Sequence, residues 1–368
     1  MTKIRVLVVD DSAFMRKMVS DLLSEDPSIE VIEKAKNGME GVNKVKELAP
    51  DVVTLDIEMP VMNGLDALQY LMKNHPVPVV MLSSLTQEGA SETIRALELG
   101  AVDFVPKPSG AISLDIHKVQ EQLVQKVKAA SRARINRTVI PSTIIPKSEP
   151  KISASYLAKK NENNVNQRLT TKGDSNISNI ILVGTSTGGP KALQTLLTSI
   201  PANIPGAILI VQHMPPGFTK SLSQRLDSLC AIRVCEAEDG MPIETGMAYI
   251  APGDFHMELK KSVDGRLLIS LNKNEPRGGH RPSVDTLFES AARIHHRSKY
   301  AIIMTGMGSD GTKGMEALKS TGCKESIAED ESTCVVFGMP RAAIQSGKID
   351  RVLPLHQIGP YLAKELNC

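Results

Sequence analysis

At 368 residues the chain exceeds one ordinary core and suits two domains with a connector. Its 43 basic and 41 acidic residues leave a net charge of +2, which gives no prior for nucleic acid as the main partner. No run of about 18 apolar residues exists to span a membrane, and the first apolar stretch meets Asp10-Asp11 at once, unlike a secretion signal.

From Ile4 to about Ala130, short β-branched runs alternate with helical patterns. The runs are 4–9, 52–55, 77–82 and 101–105, and Phe14, Met15, Met18, Val19, Leu22 and Leu23 recur at helical spacing after the first. Such alternation predicts a parallel sheet covered by helices on both faces. Over 131–178 the periodicity dissolves into polar segments such as Asn161-Glu162-Asn163-Asn164, punctuated by Pro141, Pro146 and Pro150. This stretch reads as a solvated interdomain linker. From Asn179 alternation returns, with strands expected at 180–183, 207–211, 247–251 and 301–304. Pro190, Pro216 and Pro340 sit where helices begin, and Gly347 can close the last of these. The domains expected are therefore 1–130 and 179–368, both α/β. Five scattered cysteines (Cys230, Cys235, Cys323, Cys334, Cys368) lack zinc-site spacing and read as reduced thiols of a cytoplasmic protein.

Carboxylates stop two strands of the first sheet: Asp10-Asp11 after one, Asp56 after the other. In a parallel sheet both ends lie on the edge where ligands bind. Three acids gathered there repel one another unless a cation joins them, and oxygen-only ligands suit Mg²⁺. Ser83 and Lys107 end two further runs. A carboxylate can accept a phosphoryl group as an aspartyl phosphate, with metal and lysine neutralising charge and the serine hydroxyl bonding a phosphoryl oxygen.

These residues resemble the receiver domain of two-component response regulators. The resemblance rests on Val8-Val9-Asp10-Asp11-Ser12, Asp56-Ile57-Glu58-Met59-Pro60, Asn63-Gly64, Ser83 and Lys107-Pro108. It implies a flavodoxin-like, five-stranded parallel sheet with Asp56 as phosphoacceptor. It also implies Mg²⁺ held by Asp10, Asp11 and Asp56 with a Glu58 backbone carbonyl, and Phe104 as the switch aromatic beside Ser83 and Lys107.

In the second half, Gly184-Thr185-Ser186-Thr187-Gly188-Gly189-Pro190 follows a strand directly and has the Gly-x-Ser-x-Gly form of a nucleophile turn. Chance supplies that form in a chain this long roughly one time in ten, so partners must decide. His213 follows one strand end and Asp310, within Thr305-Gly306-Met307-Gly308-Ser309-Asp310-Gly311, follows another. Histidine would deprotonate Ser186, with Asp310 holding the imidazole. Backbone N–H groups at Thr187, Gly188 and Met307 are candidates for an oxyanion site. His256, on an expected loop, stays open as a base. His295 and His296 are expected on a solvated helix face. His280-Arg281-Pro282-Ser283 opens a helix capped by Ser283, and His280 and Arg281 are candidates for a substrate wall.

Together with Gln212-His213-Met214-Pro215-Pro216-Gly217-Phe218 and Val336-Phe337-Gly338-Met339-Pro340, these stretches resemble the catalytic domain of the chemotaxis protein-glutamate methylesterases, the CheB family. The resemblance implies a doubly wound, mostly parallel α/β domain with Ser186, His213 and Asp310 as the triad. The reactions implied are glutamate methyl ester hydrolysis and glutamine deamidation, without a cofactor for the esterase. The partners implied are chemoreceptor cytoplasmic helices as substrate and a chemotaxis histidine kinase as phosphodonor. Ser309 and Cys323-Lys324-Glu325 depart from the family pattern and are expected to affect a rim. A DNA-binding output domain would need a basic recognition helix, which a strand-rich second half does not supply. A receptor-binding scaffold without activity would lack the triad.

Overall fold

The computed structural model describes residues 2–107, 116–133 and 177–368. The first unit runs β1 (Ile4–Val9), α1 (Ala13–Ser24), β2 (Ile29–Ala35), α2 (Gly38–Leu48), β3 (Val52–Asp56), α3 (Gly64–Asn74), β4 (Val79–Ser83), α4 (Gln87–Leu99), β5 (Asp103–Pro106) and α5 (Ile116–Ala130). Its five strands are parallel in the order β2-β1-β3-β4-β5. The central strands β3 and β4 are buried at every residue, hence their unbroken apolar sequence. Helices α1 to α4 begin at Ser12, Asn37, Asn63 and Thr86, each side chain accepting a first-turn N–H. Sequence reading missed β2, an edge strand whose Glu30, Glu33 and Lys34 hide its periodicity.

The second unit runs β6 (Asn179–Thr185), α6 (Gly189–Thr198), β7 (Gly206–Gln212), α7 (Phe218–Leu229), β8 (Arg233–Glu236) and β9 (Met247–Ile250). An antiparallel hairpin of β10 (His256–Lys261) and β11 (Leu267–Asn272) follows. The chain continues through α8 (Val284–Ala292), β12 (Ser298–Ile303), α9 (Thr312–Ser320), β13 (Glu325–Glu329), α10 (Met339–Gln345), β14 (Arg351–Leu353) and α11 (Leu355–Glu365). Seven strands pair in parallel in the order β14-β13-β12-β6-β7-β9-β8. From β6 the chain moves outward through β7 on one side and later through β12 on the other. This places a topological switch point between β6 and β12, with a crevice at their carboxyl ends.

Three sequence expectations need correction. His256 opens β10 and is buried, because the Pro252-Gly253 turn is shorter than the loop expected there. His295 and His296 lie beyond the end of α8 at Ala292; both are exposed, as expected, but on the connection to β12 rather than on a helix. Cys323-Lys324-Glu325 stands at the amino end of β13, the opposite end of the sheet from the crevice, and Cys323 is buried. Most of the expected linker lies outside the described residues. All five thiols are free, and among the described residues no helix is long and apolar enough to cross a membrane.

The two units pack together. Helix α4 lies against α6 and α7, and Phe104 of β5 sits 4.5 Å from Phe218 of α7, centroid to centroid. Arg225 grips Glu98 with two hydrogen bonds of 2.7 and 3.1 Å. The Thr187 hydroxyl donates to Asp103 Oδ2 at 2.5 Å, and Lys126 pairs with the other Asp103 oxygen at 2.9 Å. One apolar cluster runs from the first unit into the second.

Candidate active site

At the carboxyl edge of the first sheet, ligand oxygens of Asp10, Asp11 and Asp56 lie within 4.8 Å of one another. Lys107 reaches over them, its Nζ 3.1 Å from Asp10 Oδ2 and 2.7 Å from Asp56 Oδ2. The Lys107 ammonium is the sole partner of these two buried oxygens among the described residues, so each keeps a lone pair for a metal cation. Burial lifts the Asp56 carboxyl to about 6; Lys107 works against this and the Asp10 carboxylate adds to it. The donor set, all oxygen, fits a small hard divalent ion. The Glu58 carboxylate is outside this cluster. The Ser83 hydroxyl is buried and tied to α4 through the Gly89 carbonyl (3.3 Å) and the Thr93 hydroxyl (2.5 Å).

In the second unit, Thr185 of β6 pairs in register with Gln212 of β7, so Ser186 and His213 leave adjacent strands side by side. The His213 N–H donates to the Thr185 carbonyl at 3.1 Å. The Gln212 amide bridges the Ser186 and His213 carbonyls at 3.0 and 3.1 Å. Small residues let the turn close. Gly188 has φ +78°, and a side chain on Gly306 would strike the Ser186 Cβ at 2.8 Å.

His213 Nε2 lies 2.8 Å from Asp310 Oδ2. A carboxylate there fixes the proton on Nε2 and leaves Nδ1 as the free acceptor. Nδ1 is buried and has no hydrogen-bond partner among the described residues. Asp310 also accepts the Ser283 hydroxyl (2.9 Å) and the N–H groups of Val284 (2.7 Å) and Asp285 (3.0 Å) at the start of α8. Burial alone would raise its pKa, but the His213 contact and these N–H groups overcome it and hold the carboxyl at about 2. The His280 ring stacks on His213 at 3.8 Å, 8° from parallel. Burial, with His213 against it, pushes His280 down to about 4, so its ring is neutral at pH 7.

Comparison with known proteins follows the same division. The CheB methylesterase family pattern matches residues 181–362, and the response regulator receiver domain pattern matches 6–117. A protein-glutamate methylesterase/protein-glutamine glutaminase of Geobacillus kaustophilus is 51% identical over 97% of both chains. One from Oceanobacillus iheyensis is 49% identical over the full length of both. The chain belongs to this methylesterase/glutaminase family. Among solved structures, the Thermotoga maritima CheB methylesterase catalytic domain is 47% identical, with TM-score 0.49, covering 50% of this chain and 97% of that one. The receiver and methylesterase units of the family are thus both present.

The remaining candidates divide. The Ser186 N–H is spent on the Thr305 carbonyl (3.0 Å), whereas those of Thr187, Gly188 and Met307 make no hydrogen bond among the described residues. The Thr187 side chain instead faces Asp103, a cross-unit contact that no local sequence signal announces. Arg281 does not stand free as a substrate wall. It makes four hydrogen bonds, two to Asp254 Oδ1 (3.1 and 2.5 Å) and two to the Lys273 and Asn274 carbonyls (3.1 and 3.0 Å), clamping the loop before α8. His256 Nε2 pairs with the Glu275 carbonyl at 3.1 Å rather than with a carboxylate, and the residue opens a strand of the separate hairpin, not of the sheet that carries Ser186. Ser309 is exposed beside Asp310. The role of Ser283 beyond helix capping was missed; its place at a helix start was the available signal.

Proposed function

We propose that this chain, acting in the cytoplasm, hydrolyses glutamate methyl esters and deamidates glutamines on chemoreceptor cytoplasmic helices, under control of phosphorylation at Asp56. The observation that carries the reading is the buried His213–Asp310 pair, with Nδ1 unpartnered, on the strand next to Ser186. Ser186 Oγ attacks the ester carbonyl as its proton passes to His213 Nδ1, while Asp310 stabilises the imidazolium. Negative charge on the tetrahedral carbonyl oxygen is met by the free N–H groups of Thr187, Gly188 and Met307. His213 returns the proton to the departing methoxide, and methanol leaves. Water, deprotonated by the same ring, then releases glutamate and regenerates Ser186. For glutamine the leaving group is ammonia.

In the receiver, Asp10, Asp11 and Asp56, with the Glu58 carbonyl, would hold Mg²⁺. When bound, the ion neutralises charge on the transferring phosphoryl group. A phosphoryl group on Asp56 competes for Lys107 and for the Ser83 hydroxyl, which is tied to Gly89 and Thr93 of α4. Because α4 packs on α7, freeing Ser83 from it biases the interface toward opening. A chemotaxis histidine kinase is the proposed phosphodonor, and 1–130, 131–178 and 179–368 the proposed receiver, linker and catalytic domain.

The test is methanol release from methyl-labelled receptor membranes, with and without a small-molecule phosphodonor. Release is expected without the donor and several-fold faster with it. In Asp56→Ala the basal rate persists and the stimulation disappears. A chain that releases no methanol under either condition is not an esterase, and undiminished stimulation in Asp56→Ala removes Asp56 from the switch.

A further inference from the structure

Behind the nucleophile turn lies a carboxylate that the proposed reaction does not use. Glu329, the last residue of β13, is fully buried (0% exposed) and forms no ion pair among the described residues. Its Oε2 accepts the Thr305 N–H at 2.8 Å, and its Oε1 accepts the Thr333 hydroxyl at 3.0 Å. Thr305 in turn holds three consecutive residues of the turn. Its carbonyl accepts the Ser186 N–H (3.0 Å) and the Thr185 hydroxyl (2.8 Å), and its own hydroxyl donates to the Thr187 carbonyl (3.0 Å).

Packing alone does not explain the arrangement. Thr305 and Glu329 are buried beneath one wall of a pocket of about 630 Å³ between the two units. Apolar contact fills space without fixing direction, whereas these hydrogen bonds orient the peptides of the turn. Nor is the acid explained as a stabiliser. A buried carboxyl is costly unless fully bonded, and an apolar residue of like volume commonly serves stability as well or better.

We infer that Glu329 is a positioning residue for Ser186, acting through the Thr305 peptide and hydroxyl to hold the nucleophile turn in register with His213. This rests on the reading of Ser186 as nucleophile. Small displacements of a reacting atom cost up to about 100-fold in rate. The effect falls on kcat, because Glu329 is buried beneath the turn and has no surface to offer a receptor helix.

The full-length, phosphodonor-activated protein is assayed for methanol release from methylated receptor membranes, with thermal melting as a fold control. Glu329→Ala is expected to lower kcat by about tenfold or more with KM within twofold. Glu329→Gln keeps an acceptor oxygen for Thr305 and should retain kcat within about threefold. Thr305→Val, which removes only the hydroxyl, should also lower kcat alone. Combining it with Glu329→Ala should cost less than the product of the two losses, since both act along one path. Wild-type kcat in a folded Glu329→Ala overturns the inference, as does an equal loss in Glu329→Gln or a loss confined to KM. Should Glu329→Ala not fold, Glu329→Leu, of like volume and without an acceptor for the Thr305 N–H, decides, with unchanged kcat overturning the inference. Ser186→Ala separates the two readings: if it keeps turnover the nucleophile is wrong, and if it is dead while the Glu329 variants are unaffected only the positioning role fails.

Discussion

Ser186→Ala is expected to lower methanol release by roughly 10⁴-fold or more, with almost no change in stability. The loss follows from chemistry: without Oγ no acyl-enzyme forms, and His213 is left to activate water toward an ester positioned for a different attack. Stability should hold because the Ser186 hydroxyl makes no hydrogen bond among the described residues, so its removal strands no buried partner. The backbone bonds that shape the turn, Ser186 N–H to Thr305 and Ser186 carbonyl to Gln212, survive the substitution. Methanol release and thermal melting on the same preparation check both halves. Wild-type turnover would remove Ser186 from the mechanism, whereas lost turnover with a collapsed melting temperature would assign the residue a structural role.

Asp310→Asn should be as damaging to catalysis and should also weaken the fold. Four donors converge on two carboxylate oxygens: His213 Nε2 and the Val284 N–H on Oδ2, the Ser283 hydroxyl and the Asp285 N–H on Oδ1. An amide offers one oxygen and one NH₂, so in either orientation a backbone N–H of α8 faces another donor. A stranded buried donor costs about 1–3 kcal/mol. If the NH₂ turns toward His213, it favours the tautomer with its proton on Nδ1, the nitrogen needed to accept from Ser186. A loss on the order of 10⁴-fold in kcat is expected from the wrong tautomer.

The same carboxylate sets a pH signature. Its pKa is about 2 in the fold against an ordinary 3.8, so the folded state binds its proton less readily than the unfolded chain. That difference is worth roughly 2 kcal/mol, present in full above the ordinary value and lost as pH falls through about 2. Urea unfolding at pH 5 and pH 3 should therefore show a wide gap between wild type and Asp310→Asn that narrows in acid. A gap independent of pH would mean that Asp310 is not the titrating group.

Much of the architecture was legible because the residues that matter stand where an apolar run stops. Asp10, Asp56, Ser83, Ser186 and His213 each terminate or directly follow a strand buried on both faces, and such strands are nearly continuous Val, Ile and Leu. The edge strands β2, β8 and β14 escaped because partial exposure admits Glu, Lys and Arg, which erase the pattern.

What the chain's order of residues determined by itself was the two parallel sheets, their ligand edges and the kinds of chemistry displayed there, since burial and turn geometry act on neighbours along the chain. Only the tertiary structure decided which histidine serves Asp310, that His280 stacks on it, that Thr187 meets Asp103, and that Glu329 underlies the nucleophile turn. Those contacts join residues 24 to 97 positions apart in the chain. Hydrogen bonds and ring stacking act over a few ångströms of space, and no periodicity along a sequence encodes them.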